Sequence, residues 1–346
     1  MPTTPARSGL ALFEVPPVTG DAGAGYAVLL DNAVRAESLG YETYWLAEGR
    51  FSNIGLPSAL TLLAALAQRT ERLRLGTAVI PLAFDHPQRL AETAAVVNTL
   101  SGDRLELGVG KGNGGGFSAA AYNAYGLDEG RREELYLEAL DRLRDAFEVQ
   151  RVVDGTTFDF YPPAGNLPQR LWQATSKVGT ARSIGRAGDG LQLHRFAQGG
   201  PTGDVQKILI HAYAGELPAG CTPRIGVSRS VLPAQSKKEA VRLFAAHLER
   251  DPGALPWHTP GASAAEILRD FYILHGTPDE IAAELADDAA ATAATDYLFS
   301  VPLGLADQHY RESLAVIADE IHPALPGAPQ VVPSGGSAAA PPVAVG

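Results

Sequence analysis

Residues 73–112 read LRLGTAVIPLAFDHPQRLAETAAVVNTLSGDRLELGVGKG, which contains two short strand patterns with one helical pattern between them. Apolar residues alternate with polar or small ones in residues 73–80 and again in residues 104–112, as is typical of strands. The segment between them is predicted to form a helix that begins at His86 and Pro87. A strand, a helix and a second strand in this order form the unit from which parallel sheets are built.

The rest of the chain repeats this alternation. Further strands are predicted at residues 41–47 and 171–175 and near residues 190–195, 223–231 and 296–301. Further helices are predicted between Tyr26 and Gly40, at about 131–149, and at 177–187, 204–216, 236–250, 278–291 and 307–321. Strand and helix alternate about eight times, which favours a closed (β/α)8 TIM barrel over an open, doubly wound parallel sheet. We therefore predict an α/β protein in which residues 1–322 form a single barrel domain.

Two segments depart from this pattern. Residues 251–277 interrupt the alternation, so an insertion is predicted before the eighth unit, either as a lid or wall of the active site or as a surface excursion. Residues 323–346 contain six prolines, four glycines and no charge. Because this segment cannot bury enough apolar surface to offset its ordering entropy, we predict a flexible Pro/Gly/Ala-rich C-terminal tail.

The composition excludes several classes of function. The chain has 28 Lys and Arg against 39 Asp and Glu, and the net charge of −11 argues against nucleic-acid or anionic-membrane partners. No apolar run approaches the roughly 20 residues of a membrane span, and the N-terminus does not resemble a signal peptide. The histidines lack metal-ligand spacing, and the single cysteine, Cys221, is predicted to be buried. These features predict a cytoplasmic protein without a metal site.

A glycine-rich turn follows the strand pattern of residues 104–112 and carries one cation. Gly110, Lys111 and Gly112 begin the sequence GKGNGGG, in which backbone N–H groups can approach an anion closely and the lysine adds a point charge. This chemistry fits a phosphate. The spacing matches neither the phosphate-binding P-loop nor the dinucleotide fingerprint GxGxxG. A flexible loop without a ligand is the alternative interpretation.

Small and hydroxyl residues mark a second candidate after the strand LWQAT. The residues at the start of the next predicted helix are Thr175, Ser176, Gly179 and Thr180. The N–H groups and the positive dipole end of a helix can hold a phosphate. Hydroxyl residues at the same place can equally serve only as caps of the helix.

Charged and imidazole side chains follow two other strands. Glu48 and Arg50 come after the strand at residues 41–47, either as a functional pair at the barrel mouth or as a salt bridge. His194 and Arg195 follow the strand LQL, where barrel enzymes place functional side chains. Histidine is suited to proton transfer, and a structural hydrogen bond is its alternative role.

These segments together resemble a known family. Residues 41–51 (YETYWLAEGRF), the stretch 73–112 and residues 171–193 resemble the bacterial luciferase-like, flavin-dependent monooxygenases. LWQAT and residues 228–231 (SRSV) are most similar to an FMN-dependent luciferase-like group within that family. The resemblance covers about residues 10–323 and implies a (β/α)8 barrel that binds FMN at the carboxyl ends of its strands.

The resemblance also implies cofactor contacts by position. Lys111 stands where the family often has an arginine that meets the flavin phosphate, and a non-proline cis peptide is expected beside the flavin ring at the end of the third strand. The predicted cofactor residues are Glu48, Thr77, Ala78, Val79, Gly110, Lys111, Gly112, Ala174, Thr175, Ser176, Gly179 and Thr180.

The chain departs from true luciferases at two places. Residues 48–51 read EGRF instead of Glu-His-His-Phe, so the catalytic imidazole is missing there, and Gly110 replaces a cysteine. Light emission from a long-chain aldehyde is therefore not predicted. We expect Arg50, His194 and Arg195 to contact the substrate or a reaction intermediate instead.

The function implied by the resemblance is that of an oxidoreductase. It would bind reduced FMN from a separate flavin reductase, react it with O2 and monooxygenate a small organic substrate. A homodimer is expected through helices near the start of the barrel, where Leu62, Leu63 and Leu66 can serve either the interface or the core. The alternatives are an F420-dependent enzyme of the same fold, which transfers hydride without O2, and a flavin-binding protein without turnover.

Overall fold

The structure of the protein is a computed structural model, and it describes residues 8–16, 18, 20–51, 54–112, 116–148, 150–250, 261–302, 305, 307–325 and 327. The strands of this part of the chain are β1 (Gly9–Glu14), β2 (Thr43–Leu46), β3 (Arg74–Thr77), β4 (Ile80–Pro81), β5 (Leu105–Gly110), β6 (Gln150–Val153), β7 (Thr156–Asp159), β8 (Leu171–Ala174), β9 (Gly190–Leu193), β10 (Ile225–Pro233), β11 (Ile273–Gly276) and β12 (Asp296–Ser300). Its α-helices are α1 (Ala22–Ser38), α2 (Ala59–Ala67), α3 (Pro87–Ser101), α4 (Gly116–Ala124), α5 (Arg132–Ala146), α6 (Val178–Ala187), α7 (Thr202–Ala214), α8 (Lys237–Arg250), α9 (Ala264–Asp270), α10 (Pro278–Asp287) and α11 (Asp307–Val316).

A parallel sheet closes into a barrel in the order β1, β2, β3, β5, β8, β9, β10 and β12. The ring closes because β12 pairs with both β1 and β10, so that Asp296 lies opposite Gly9 on one side and Gly226 on the other. All the carboxyl ends of a parallel barrel meet at one end, which we call the mouth. The predicted (β/α)8 barrel is confirmed, as is the helix start at Pro87, for which His86 is the N-cap.

Two short strands extend the barrel at its mouth. β4 pairs with the end of β5, with Ile80 opposite Val109, and β11 pairs with the second half of β10, with Ser230 opposite Ile273. The helix α9 and the strand β11 lie within the segment predicted as an insertion, so that part of it is built into the sheet rather than looped out. Residues 251–260 of that segment lie outside the described residues.

Charged side chains occupy the barrel interior near the amino ends of the strands. Arg74 donates to Glu106 at 3.0 Å and to Asp296 at 3.0 Å. Arg170 and the Trp172 indole also donate to Glu106, at 2.9 and 2.7 Å. This network neutralises its own charges and fills the end of the barrel opposite the mouth.

A pair of tryptophans, which we call the tryptophan layer, fills the barrel above this network. The rings of Trp45 and Trp172 meet edge to face with centroids 5.4 Å apart. Glycines on the neighbouring strands make room for them, since a Cβ at Gly76 or Gly190 would lie 2.2 Å from Trp45 or Trp172 respectively. The interior is therefore packed up to this layer, and a ligand can enter the barrel only from the mouth.

The buried core between barrel and helices includes the leucines of α2. Leu63 and Leu66 are fully buried and Leu62 is 8% exposed. These side chains therefore belong to the core of the protomer, and the expected homodimer stays a prediction.

Two further features of the chain bear on the sequence predictions. The predicted burial of Cys221 is wrong, because the residue is exposed at the end of a turn in which its N–H donates to the Pro218 carbonyl. At the start of the predicted tail, Leu325 is buried after a 3-10 turn at His322–Ala324. Residues 326 and 328–346 lie outside the described residues.

Candidate functional site

Glycines at the end of β5 allow the end of β3 to approach closely. A Cβ at Gly108 would lie 1.9 Å from the Thr77 carbonyl oxygen, and a Cβ at Gly110 would lie 2.7 Å from Val79 Cγ2. The Thr77 hydroxyl accepts from the Gly108 N–H at 2.9 Å and donates to the Gly108 carbonyl at 2.7 Å. The peptide bond between Ala78 and Val79 is cis, which confirms that expectation. The predicted residues of these two strands therefore form one continuous wall at the mouth.

One carboxylate joins the two segments that the sequence indicates separately as phosphate sites. Glu133, in the first turn of α5, accepts from Lys111 Nζ at 2.6 Å and from Lys177 Nζ at 2.8 Å. Lys111 follows β5 and Lys177 is the N-cap of α6. The glycine-rich turn and the start of α6 are thus held side by side.

Positive charge is in excess around Glu133. The hydrogen bonds from Lys111 and Lys177 hold the pKa of Glu133 below its usual value. Burial lowers the pKa of Lys111, and the charge of Lys177 acts in the same direction, although Glu133 opposes both. The charge of Arg132 also acts on Lys177, and Arg132 Nη1 is buried without a hydrogen-bond partner in the part of the chain that the structure describes. We call Lys111, Lys177 and Arg132 the cation cluster, and its composition fits an anion such as phosphate.

The start of α6 leaves backbone N–H groups free for a ligand. Its N-cap, Lys177, makes no side-chain capping hydrogen bond, and Thr175 Oγ1 accepts from the Lys177 N–H at 3.0 Å instead. Ser176 is exposed, and a Cβ at Gly179 would meet nothing within 4 Å. The hydroxyls here do not cap the first turn, so the phosphate interpretation of this segment remains available.

Two buried polar side chains on the inner wall lack partners. A Cβ at Gly108 would lie 3.1 Å from Gln192 Oε1, and a Cβ at Gly226 would lie 3.7 Å from Gln192 Cγ. Gln192 Nε2 and Ser228 Oγ are buried and make no hydrogen bond within the described part of the chain. Gln192 lies two residues beyond Gly190, on the mouth side of the tryptophan layer. Because a buried polar group without a partner costs about 1–3 kcal/mol, these atoms mark a place for a polar ligand group.

Glu48 and Arg50 form an ion pair at the rim of the mouth. Arg50 donates to Glu48 Oε1 at 2.7 Å, to Asp85 Oδ2 at 3.1 Å and to the Tyr125 hydroxyl at 3.1 Å. Glu48 Oε2 accepts from the N–H of Ala59, the first residue of α2, at 2.8 Å. Burial raises the pKa of Glu48 to about 7, although the charge of Arg50 opposes the shift. The salt-bridge interpretation is confirmed, and roles for this pair toward cofactor or substrate stay predictions.

His194 and Arg195 lie on a different side of the mouth, after β9. The His194 ring meets the Phe196 ring edge to face at 4.7 Å, and its Nδ1 lies 3.2 Å from the Phe196 carbonyl. The ring is exposed, yet the protein around it lowers its pKa to about 4, and the charge of Arg195 adds to this shift. A pKa lowered by desolvation in an exposed residue fits a position inside a concave site. The His194 ring is therefore neutral near pH 7.

The structure thus divides the predicted residues into separate groups. Within the described residues, no hydrogen bond, ion pair or ring contact joins Arg50 to His194 or Arg195. The sequence analysis missed Lys177, Arg132 and Glu133. Their positions at two predicted helix starts were the available signal, since helix starts of a barrel can meet at its mouth.

A separate pocket of about 390 Å³ lies between the loop after β9 and the turn before β11. Its acidic lining residues are Asp204, Asp270, Asp287 and Asp288. None of the predicted site residues lines it, and its carboxylates do not suit an anionic cofactor.

Among the described residues there is no helix whose length and apolar character would let it cross a bilayer. The same residues contain no group of three or more His, Cys, Asp or Glu arranged to hold a metal.

The chain belongs to the luciferase-like monooxygenase family, whose model matches residues 7–296. It is 33% identical over 151 residues to a 4-hydroxyprotoasukamycin monooxygenase of Streptomyces nodosus subsp. asukaensis. This match covers 42% of this chain and 40% of that protein. It is 30% identical over 179 residues to an F420-dependent glucose-6-phosphate dehydrogenase of Amycolatopsis mediterranei, covering 47% and 51% respectively. The matches therefore span about half the length of these curated relatives or less.

The fold is also similar to that of a solved flavoprotein. The oxygenating constituent of 3,6-diketocamphane monooxygenase from Pseudomonas putida, solved in complex with FMN, superposes with a TM-score of 0.72. The match covers 94% of this chain and 100% of that one at 19% identity, which shows a shared fold. The chain thus shares its family and fold with relatives that include both a monooxygenase and an F420-dependent dehydrogenase.

Proposed function

We propose that this protein is an FMN-dependent monooxygenase that receives reduced FMN from a separate cytoplasmic reductase and acts on a small organic substrate. Bound reduced FMN would supply the electrons with which one oxygen atom of O2 enters the substrate and the other leaves as water. The residues of the mouth would bind this cofactor, orient it and exclude water from it.

The observation that carries the proposal is the cation cluster beside the open start of α6. Lys111 and Lys177 converge on one carboxylate, and Arg132 adds a third positive charge. The phosphate monoester of FMN carries close to two negative charges at neutral pH, which matches this excess. Helix N–H groups and lysines are the donors that proteins commonly use for phosphate.

The inner wall supports a flavin ring at the mouth. Phe13 and Ala78 pack against the tryptophan layer and offer an apolar surface. Gln192 and Ser228 offer unpaired polar atoms that would hydrogen-bond to the polar edge of the ring. A ring system that is apolar on its faces and polar at one edge matches such a wall.

An F420-dependent oxidoreductase is the second candidate, because one of the relatives described above is F420-dependent. The phosphate of F420 is a diester with a single charge and continues into a longer chain. The compact, doubly positive surroundings of Glu133 favour the monoester.

Anaerobic titration with each reduced cofactor tests the proposal. We expect saturable binding of reduced FMN in the micromolar range or tighter, followed by substrate-stimulated oxygen uptake when air is admitted. Tight binding of reduced F420 without binding of FMN would reject the proposal in favour of the second candidate. Flavin binding without stimulated uptake across a broad substrate panel would indicate a binding protein without turnover.

A further inference from the structure

Arg195 is a charged side chain at the mouth that has no partner among the described residues. Neither a hydrogen bond nor an ion pair joins its guanidinium to another residue within the described ranges, and its Nε is buried. Arg50, also at the mouth, instead has Glu48 and Asp85 as ionic partners. Only one of these two guanidinium groups is therefore left with its charge uncompensated.

An uncompensated guanidinium that is partly buried is costly. Burial lowers the pKa of Arg195 to about 10, so the group stays charged at neutral pH, and the partly buried side chain is less well hydrated than that of a surface arginine. Proteins pair such charges unless a ligand provides the counter-charge. The chain as a whole carries a net charge of −11, so attraction for an anion at the mouth must come from local groups such as this one.

The backbone on both sides of Arg195 is held by side chains of α7, which fixes the point from which its side chain extends. The His194 carbonyl accepts from Gln206 Nε2 of α7 at 2.6 Å. The Ala197 N–H donates to the Thr202 hydroxyl at 3.1 Å. An arginine on a held segment loses less backbone entropy when a ligand binds than one on a mobile loop does.

The residues adjacent to Arg195 in the chain carry no competing charge, and the aspartates of the acidic pocket, which Phe196 helps to line, do not contribute to the pKa of Arg195. His194 is neutral near pH 7, and its ring is held against Phe196. Phe196 in turn meets Phe271 edge to face at 5.7 Å. Arg195 is therefore flanked by neutral and aromatic groups, which strengthen an ion pair by excluding water.

We propose that Arg195 binds an anionic group of the substrate, a carboxylate or an equivalent oxyanion, and so makes this protein selective for organic acids. That the bound anion is a substrate rests on the proposed function, whereas the presence of an anion site at Arg195 does not. It is separate from the cation cluster, which follows β5 and β8, whereas Arg195 follows β9. The guanidinium provides two parallel donors that match the geometry of a carboxylate.

The test measures binding of benzoate, inorganic sulfate and the neutral isostere benzamide by titration calorimetry, with and without FMN. We expect the wild type to bind benzoate at least about tenfold more tightly than benzamide, and Arg195→Gln to lose that preference. Arg195→Lys should keep part of it. Arg182→Gln, which removes an exposed arginine of α6, should leave it unchanged.

Two further readouts separate this role from a structural or cofactor role. Without a ligand, Arg195→Gln should be at least as stable as the wild type, because the substitution removes an uncompensated charge. FMN affinity should be unchanged in the variant if Arg195 meets the substrate.

Several outcomes would overturn the inference. One is the absence of saturable binding of both benzoate and sulfate by the wild type. Others are equal benzoate affinity in Arg195→Gln, or loss of FMN affinity with benzoate binding retained. Failure of the wild type to bind FMN would count against the proposed function alone, because the anion titration without cofactor still reports on Arg195.

Discussion

Replacing Lys111 by alanine should weaken the binding of FMN but not that of riboflavin, which lacks the phosphate. Lys111 Nζ is only 2.6 Å from Glu133, and its side chain is 14% exposed. A charge-assisted hydrogen bond at such a site contributes about 1.5–3 kcal/mol. The lysine gives up its bond to Glu133 when it binds the phosphate, so the net contribution should lie near the lower end of this range. We expect Lys111→Ala to lose about 1.5–2 kcal/mol of binding free energy for FMN, which raises Kd about 10- to 30-fold.

The assay is an anaerobic fluorescence titration of wild type and variant with FMN and with riboflavin. Lys177→Ala should have a smaller effect, because that side chain is 61% exposed and solvent screens its charge. Lys207→Ala, which removes an exposed lysine of α7, serves as the control. An unchanged FMN affinity in Lys111→Ala would remove this lysine from the phosphate site. An equal loss for FMN and riboflavin would mean that the lysine supports the fold of the mouth rather than the phosphate.

Three further predictions concern Glu133, the tryptophan layer and Glu14. Glu133→Gln removes the negative charge that competes for both lysines, so FMN should bind more tightly; weaker binding would show that the carboxylate organises the cluster instead. Gly190→Ala would place a Cβ 2.2 Å from the Trp172 ring and should lower the free energy of unfolding in urea by about 1–3 kcal/mol. Gly20→Ala is the control, because a Cβ there would meet nothing within 4 Å and should lower it little. Equal effects of the two substitutions would contradict the packing of the tryptophan layer. Burial raises the pKa of Glu14 from 4.5 to about 7, so folding favours the protonated carboxyl. The contribution of this group to the free energy of unfolding is complete below pH 4.5 and is lost as the pH rises through 7. Urea unfolding between pH 5 and pH 8 should therefore show a loss of up to about 3 kcal/mol in the wild type and a smaller one in Glu14→Gln, and identical pH profiles would reject this role of Glu14.

The fold was accessible from the sequence because its signal is local and repeated. Residues 73–112 show the strand, helix and strand of one unit, and the same alternation predicts the other barrel strands within a few residues, except β1, which the sequence analysis missed. The segment before the eighth unit was harder. β11 is four residues long and pairs only with the far end of β10, so its pattern is indistinguishable from that of a loop in the sequence.

The candidate site was only partly accessible, because it depends on contacts between distant residues. Lys111 stood out through its glycine neighbours, but Glu133 lies 22 residues after Lys111 and 44 residues before Lys177. Only closure of the barrel brings them together. The unpaired state of Arg195 is likewise invisible in the sequence, since Arg50 follows a strand in the same way and is paired.

A crystal structure of the protein soaked with FMN tests the central claim most directly. The account predicts electron density for the phosphate within hydrogen-bonding distance of Lys111 Nζ and the first turn of α6. It also predicts the flavin ring on the mouth side of Trp45 and Trp172, with its polar edge toward Gln192. Density for the cofactor in the acidic pocket beside Asp288, or crystals that take up F420 but not FMN, would contradict it.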